Sequence, residues 1–151
     1  MMDTEKKLSL MQNTYAAAVA ETVNTYDRLK VLDAIVEKRA ERQNQTAGAM
    51  NKMMGITSVE EVFLHLADVF GCANWQVAKA EEGYEATATA CKLCALSKRM
   101  GGANACRGWC LDPMIAMIGD VTGGKITRDR IDVKSTLMEG EQCKVVITLG
   151  E

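Results

Sequence analysis

The 151-residue sequence has no charge excess, few aromatic residues and no long apolar run. Its eighteen Lys and Arg residues are offset by twenty Asp and Glu residues, which leaves a net charge of −2. Without a basic excess, and with only two Phe, two Trp and three Tyr residues for base stacking, we expect no nucleic-acid partner. No apolar run approaches the roughly 20 residues of a membrane-spanning helix, so we expect no membrane partner.

The N-terminal segment also lacks the features of a secretory signal. Residues 1–13 contain no continuous apolar stretch and no cleavage site. We therefore expect a cytoplasmic protein, in which the reducing environment keeps cysteines as thiols. This expectation argues against disulfides, although six cysteines is an even number.

Residues 4–54 contain no proline, are rich in Ala, Lys, Glu, Gln, Met and Leu, and predict a long helix. A helical hairpin broken near Asn44 to Gly48 is the alternative. The apolar residues follow a three-four spacing that gives a narrow seam: Leu8, Met11, Tyr15, Ala18, Thr22, Tyr26, Leu29, Leu32 and Val36. A helix this long exceeds what the rest of one chain can bury, so the segment 1–55 predicts a homodimer, with a hairpin closed within one chain as the other interpretation.

The remaining residues, 56–151, predict an α+β core in the same single domain, 1–151. A capping box at Thr57-Ser58-Val59-Glu60 indicates an amphipathic helix to about Phe70. Alternating residues indicate two β-hairpins, one formed by 75–80 and 84–90 around Glu81-Glu82-Gly83, and one by 126–137 and 143–149 joined at Glu139 to Gln142. The predicted fold is therefore a long N-terminal helix or helical hairpin, further short helices, and an antiparallel sheet of about four strands.

Four of the six cysteines lie within twenty residues, as Cys91-x-x-Cys94 and Cys106-x-x-x-Cys110. Two such pairs can supply the four soft ligands of a zinc ion or an iron–sulfur cluster. The spacings do not choose between these two cofactors. They also fit a redox or nucleophilic thiol site, or cysteines that are simply buried.

Local patterns place these cysteines near helix starts. A short helix from Cys91 to about Met100 would put Cys91 and Cys94 one turn apart on the same side. Asp112 reads as an N-cap and Pro113 as the first helical residue, so Cys110 would lie just ahead of a helix N-terminus. The helix dipole would there lower the pKa of the thiol, which suits a metal ligand and a nucleophile equally.

Three further residues are candidate site residues, but for each of them a structural role is favoured over a functional one. Cys143 opens the last predicted strand and is either a fifth metal ligand or, the favoured interpretation, a small core residue. Cys72 follows Gly71 at a helix end and is interpreted in the same way. His65, the single histidine, is a candidate ligand or general base, although a lone helical histidine is more often a packed or surface residue.

The stretch from Cys91 through Cys110-Leu111-Asp112, together with Thr136 to Ile147, resembles the L-2-amino-thiazoline-4-carboxylic acid hydrolase family. The resemblance implies a hydrolase of a small cyclic C–N or C–S substrate, acting through metal-activated water or a thiolate. Cys110 would be the nucleophile, with Asp112 orienting and His65 as the base. The chain more loosely resembles vinyl-4-reductase-like sensory domains, which bind metal through cysteines, but Ser135 stands where those domains have a cysteine.

The residues around the cysteines favour ligation over hydrolysis. Between Cys91 and Met117 the sequence has no His, no Glu and only one Asp, Asp112, so acid–base groups are scarce. We therefore predict first a metal centre with a sensory, redox or small-molecule-binding role, and second a hydrolase. The third hypothesis is a helical, dimerising interaction protein whose cysteines are structural.

Overall fold

The computed structural model describes residues 1–150, in which five α-helices and a four-stranded antiparallel sheet confirm the predicted α+β class. No helix in this range is both long enough and apolar enough to cross a membrane. The helices are α1 (Thr4–Arg28), α2 (Leu32–Met54), α3 (Val59–Phe70), α4 (Lys92–Met100) and α5 (Asp112–Val121). The strands are β1 (Gln76–Ala80), β2 (Gly83–Ala88), β3 (Ile131–Ser135) and β4 (Cys143–Thr148), and short helical turns occupy Arg107–Leu111 and Arg128–Arg130.

The N-terminal helical segment breaks at Leu29 to Val31, so the predicted break near Asn44 to Gly48 is wrong. Neither glycine nor proline marks the observed break, where Lys30 takes a left-handed φ of 62°. Gly48 instead stays helical at a close approach between α2 and α5. A Cβ on Gly48 would lie 3.0 Å from Oδ1 of Asp120, so glycine serves close packing there rather than a break.

Helix α1 packs mainly on α4 of the same chain. The buried apolar residues at this contact form a small cluster, here called the α1–α4 seam: Val19, Ala20, Val23, Leu93, Ala103 and Ala105. Leu8, Leu10 and Met11, nearer the N-terminus of α1, remain exposed. The homodimer through this helix stays a prediction.

The sheet has the strand order β1-β2-β4-β3, and every neighbouring pair is antiparallel. The first hairpin is confirmed, with its turn at Glu81 and Glu82. The second hairpin is shorter than predicted, because residues 128–130 form a 3₁₀ turn and β3 begins only at Ile131. Residues 136–142 join β3 to β4, a longer connection than the predicted Glu139 to Gln142.

The largest apolar cluster, here called the main core, lies between the sheet and helices α3 and α5. Alternate residues of β2 and β4, such as Ala86 and Val145, point into it. Helix α3 enters the core after a capping box one residue later than predicted. Oγ of Ser58 accepts a hydrogen bond from the Glu61 amide, and the Glu61 carboxylate accepts one from the Thr57 amide.

Candidate thiol site and adjacent cavity

All six cysteines are free thiols, and they gather around the junction of the main core and the α1–α4 seam. The sequence separates them by up to seventy residues, but the fold collects them from five places. They are Cys72 after α3, Cys91 before α4, Cys94 within α4, Cys106 and Cys110 at the turn that precedes α5, and Cys143 at the start of β4.

Cys91 is the N-cap of α4, which begins one residue later than the predicted helix from Cys91 to about Met100. Its Sγ accepts a hydrogen bond from the Cys94 amide at 3.5 Å, so the sulfur occupies the place of a capping oxygen. The Lys92 amide donates to the carbonyl of Cys72 at 2.8 Å, and a single β-bridge pairs Ala73 with Cys91. These backbone contacts fix the position of the Cys91 sulfur.

Cys94 contacts Cys106, and their Sγ atoms are 3.4 Å apart. Both side chains are buried. The chain reverses between them at Gly101 and Gly102, whose φ angles of 144° and 87° end α4. Cys91, Cys94 and Cys106 are here called the thiol cluster, because the Cys94 amide donates to Sγ of Cys91 and the sulfurs of Cys94 and Cys106 are in contact.

The three thiols of the cluster have different proton affinities. A hydrogen bond from the Cys94 thiol, helped by backbone amides, lowers the pKa of Cys91 to about 6. The bond between Cys94 and Cys106 lowers the pKa of Cys106 and raises that of Cys94. Thiolate character is therefore favoured at Cys91 and Cys106 over Cys94.

Cys110 does not lie ahead of a helix N-terminus, so that prediction is wrong. Residues Arg107–Leu111 form a π-helical turn that runs directly into α5, and Asp112 is a buried helical residue rather than the N-cap. Pro113 explains the turn, because it has no amide hydrogen to donate to a carbonyl of the preceding turn and its ring crowds that turn. Burial, then the charges of Cys91 and other thiols, raise the pKa of Cys110 well above its usual value.

Asp112 forms an ion pair with Arg128, whose Nη2 lies 3.1 Å from Oδ1. Its second oxygen, Oδ2, is buried and has no hydrogen-bond partner among residues 1–150. His65 lies on α3, with Nε2 3.8 Å from the Glu61 carboxylate and its side chain 38% exposed. The residues that line the cavity beside Cys110 do not include His65 within the described range, so the structure does not place this base next to that thiol.

Cys143 is buried in the main core, as its favoured interpretation predicted, and its role as a metal ligand stays a prediction. Its Sγ accepts a hydrogen bond from the Leu137 amide at 3.3 Å. Beyond burial, the negative charges of Cys106 and Cys91 add to the rise in its pKa. Cys72 is half-buried, and its thiol donates to the carbonyl of Phe70 at 3.7 Å. Burial raises the pKa of both thiols to about 11.

A cavity of about 290 Å³ borders the thiol cluster, and Cys72, Cys91 and Cys110 form part of its wall. Helix α2 contributes Arg39 and Gln43 to the cavity. The sequence analysis missed these two residues. Their four-residue spacing marks one helix face, but nothing local indicates that this face meets a cavity.

No three His, Cys, Asp or Glu side chains among residues 1–150 already stand in the positions of metal ligands. Comparison with protein-family models, with curated proteins and with solved structures found no match for this chain. The resemblance to the thiazoline-carboxylate hydrolase family therefore stays a prediction, as do the roles that it implies for Cys110, Asp112 and His65.

Proposed function

We propose that the protein binds a thiophilic metal centre, either zinc or an iron–sulfur cluster, through Cys91, Cys94 and Cys106. Cys110 or Cys143 would supply the fourth sulfur. The observation that carries this proposal is the contact between the buried sulfurs of Cys94 and Cys106, which come from two separate segments, with Cys91 at the start of the same helix as Cys94.

The chemistry of the donors supports a soft metal. Sulfur is the ligand that zinc and iron–sulfur clusters share. Two thiolates on one tetrahedral zinc ion lie about 3.8 Å apart when each Zn–S bond is about 2.3 Å. The sulfurs of Cys94 and Cys106, at 3.4 Å, would need to separate by only a few tenths of an ångström.

Backbone amides already point at two of the candidate sulfurs. The Cys94 amide donates to Sγ of Cys91, and the Leu137 amide donates to Sγ of Cys143. Such N–H···S bonds orient thiolate ligands and tune a bound metal. Because cysteine binds a metal as its thiolate, metal binding at these residues would release protons and would strengthen as the pH rises.

The test is an anaerobic purification followed by analysis for zinc, iron and acid-labile sulfide, with a visible spectrum. Cys94→Ala and Cys106→Ala each remove a sulfur of the cluster and are expected to abolish stoichiometric metal. Cys110→Ala and Cys143→Ala identify the fourth ligand, since only one of them should cause a comparable loss. The matched control is Cys72→Ala, because this thiol bonds the Phe70 carbonyl instead of another sulfur.

Stoichiometric metal in the wild type and in Cys72→Ala, with loss in the two cluster variants, would support the proposal. A metal-free wild type that stays metal-free after incubation with zinc or after cluster reconstitution would reject it. Equal metal content in wild type and Cys94→Ala would reject it as well, because the metal would then be held elsewhere.

A second candidate function, a thiol–disulfide redox site, is favoured by two observations. Cys91 is a helix N-cap with a lowered thiol pKa, and Cys94 and Cys106 are already in contact. Oxidised glutathione would accept two electrons and two protons from two of these thiols, giving one protein disulfide and two glutathione molecules. Peptide mass mapping of the metal-free protein after this treatment would identify a disulfide within the cluster, whereas unchanged thiols would exclude this candidate.

Hydrolysis has less support in the geometry. A nucleophilic thiol works as its thiolate, whereas Cys110 has a strongly raised pKa and no histidine beside it within the described residues. Asp112 is engaged by Arg128 rather than by an imidazole. The hydrolase hypothesis therefore ranks below both thiol functions.

A further inference from the structure

The cavity beside the thiol cluster has apolar walls and one polar end. Its volume of about 290 Å³ exceeds the roughly 150 Å³ of an engineered cavity that accepts benzene, so a molecule of one or two rings would fit. Five aromatic or methionine side chains from α3, α5 and the segments beside them contribute to the wall: Phe70, Trp75, Trp109, Met114 and Met117. Flat apolar walls of this kind favour a planar apolar ligand.

The polar end of the cavity is built on a carbonyl that the π-helical turn leaves free. Five residues after Gly108 comes Pro113, which has no amide hydrogen, so the turn provides no donor there for the Gly108 carbonyl. Two side chains of α2 bond this carbonyl instead. Nε of Arg39 donates to it at 3.0 Å, and Nε2 of Gln43 donates to it at 2.8 Å.

These two bonds leave unused hydrogen-bonding groups at the cavity. Among residues 1–150, Nε–H is the one Arg39 donor that has a protein partner, and the guanidinium lies 4.4 Å from the centre of the Trp109 ring. Since Nε2 of Gln43 is committed to Gly108, the orientation of this amide is fixed. Its Oε1 is buried and has no hydrogen-bond partner in the described residues, and such an atom costs about 1–3 kcal/mol if it stays unpaired.

The two unused groups define which chemical groups a complementary ligand must carry. The guanidinium of Arg39 offers several N–H donors in one plane, which match a carboxylate. Oε1 of Gln43 requires a donor, such as an N–H or O–H next to that carboxylate. Arg42 and Thr46 line the same end and are exposed, so this end of the cavity opens to solvent and adds a second positive charge.

We propose that the cavity binds a small planar carboxylic acid that carries an N–H or O–H donor beside the carboxylate. The ring lies between Trp75, Trp109 and Met114, the carboxylate bonds Arg39, and the neighbouring donor bonds Oε1 of Gln43. The ligand then contacts the cavity wall that includes Cys72, Cys91 and Cys110. The proposal stands on the cavity alone and does not depend on the metal centre.

The probe for this proposal is indole-2-carboxylate, which holds a ring N–H next to its carboxylate. Two analogues remove one feature each, because benzothiophene-2-carboxylate lacks the N–H and indole lacks the carboxylate. Binding is measured by calorimetry and by backbone NMR shifts on the protein as purified. Each missing feature is expected to weaken binding by about 10- to 100-fold, the worth of one charge-assisted or buried hydrogen bond.

Variants then assign each feature to a residue. Arg39→Gln is expected to weaken the binding of indole-2-carboxylate by about 10- to 100-fold and to leave the affinity for indole unchanged. Gln43→Met keeps the length of the side chain and removes the acceptor, so it should erase the preference for indole-2-carboxylate over the benzothiophene acid. Arg99→Gln, which changes an exposed arginine outside the cavity, is the charge control.

Several outcomes would overturn the proposal. These are no saturable binding of any probe at millimolar concentration, indole binding as tightly as the acid, or an acid affinity unchanged by Arg39→Gln. Indole binding also reports whether Arg39→Gln still folds around an intact cavity. Repeating the titration on Cys94→Ala separates this proposal from the metal centre, since Cys94 does not line the cavity and its loss should leave acid binding intact.

Discussion

The main core and the α1–α4 seam are stabilised by different interactions. The main core is filled by large side chains such as Phe63, Met114 and Ile118, whereas half of the seam's apolar residues are alanines. The seam instead includes a buried hydrogen-bond network centred on Asn24. Small side chains let two helices approach closely, but little apolar area is buried, so polar contacts at such a seam have to be satisfied completely.

The thiol cluster lies where these two regions meet. Cys94 and Cys106 belong to the main core, and Cys91 packs against both regions. Helix α4 carries Leu93 on the seam side and Cys94 on the core side.

The largest expected effect is in the main core. Phe63→Ala removes a ring that is 1% exposed and that packs edge-on against Trp75, at 5.1 Å between ring centres. We expect a loss of about 3–5 kcal/mol in the free energy of unfolding, measured by urea denaturation. Leu64→Ala, one residue along and 48% exposed, is the control and should cost far less. Similar losses in both variants would contradict this assignment of the core.

The next effect is in the seam. Asn24 bonds the Ala20 carbonyl and Ser97 through Nδ2, and its Oδ1 accepts from the Ala103 amide at 3.0 Å. Asn24→Ala leaves several of these buried groups unpaired, so we expect a loss of about 2–3 kcal/mol. Hydrogen exchange should become faster in α1 and α4 while the sheet stays protected.

Asn44→Ala is the control for the seam variant, because Asn44 is an exposed residue of α2. This variant should be neutral or slightly stabilising, since Ala is the better helix former. If Asn24→Ala accelerated exchange equally throughout the sheet, the seam and the main core would be one cooperative unit, and the comparison would fail.

Alanine substitutions at Gly101 and Gly102, at the end of α4, have a smaller expected effect. Their comparison distinguishes backbone strain from a steric clash. A Cβ on Gly101 would lie 2.6 Å from Oδ1 of Asn24, whereas a Cβ on Gly102 would meet nothing within 4 Å. Both residues have positive φ, so both alanine variants are strained. We expect thermal unfolding to show a loss of about 1 kcal/mol for Gly102→Ala and about 2 kcal/mol for Gly101→Ala. Equal losses would mean that Asn24 moves away freely.

The smallest effect is at the surface cap of α3. Hydrogen bonds from the hydroxyl and amide of Thr57 lower the pKa of Glu61. A lowered pKa stabilises the fold above the unfolded value of about 4.3, and this contribution is lost as the pH falls through the folded value. The midpoint of thermal unfolding should therefore fall more steeply below pH 5 in the wild type than in Glu61→Gln. Parallel pH profiles would show that the cap is not coupled to stability.

The sequence predicted those features whose signals are local. The first hairpin follows from alternating residues on either side of Glu81 and Glu82, and the short helix α4 follows from the helical pattern after Cys91. The predicted helix break near Gly48 was wrong because a glycine occurs at a close contact between helices as readily as at a helix end. The actual break at Lys30 carries no local signal of either kind.

The candidate site was predicted only in part, because its contacts are long-range. The cysteine spacing identified the segment 91–110. The contact between Cys94 and Cys106 depends on how the chain reverses between them, and the spacing does not specify this. Pro113 looked like the first residue of a helix, whereas it follows a π-helical turn. Arg39 and Gln43 lie about seventy residues before the carbonyl that they bond, so no local pattern could place them at a cavity.

The π-helical turn at Arg107–Leu111 also bears on how this chain can vary in evolution. Such a turn holds one residue more than an α-helical turn. Deleting one of its residues would let it merge with α5 into a regular helix and would rotate Cys106 by roughly 100° about the axis. The Cys106 sulfur would lose its contact with Cys94, and the Gly108 carbonyl would lose its hydrogen bonds from α2. Among natural variants, we expect insertions and deletions to be tolerated at the open Gly123-Gly124 turn and to be selected against here.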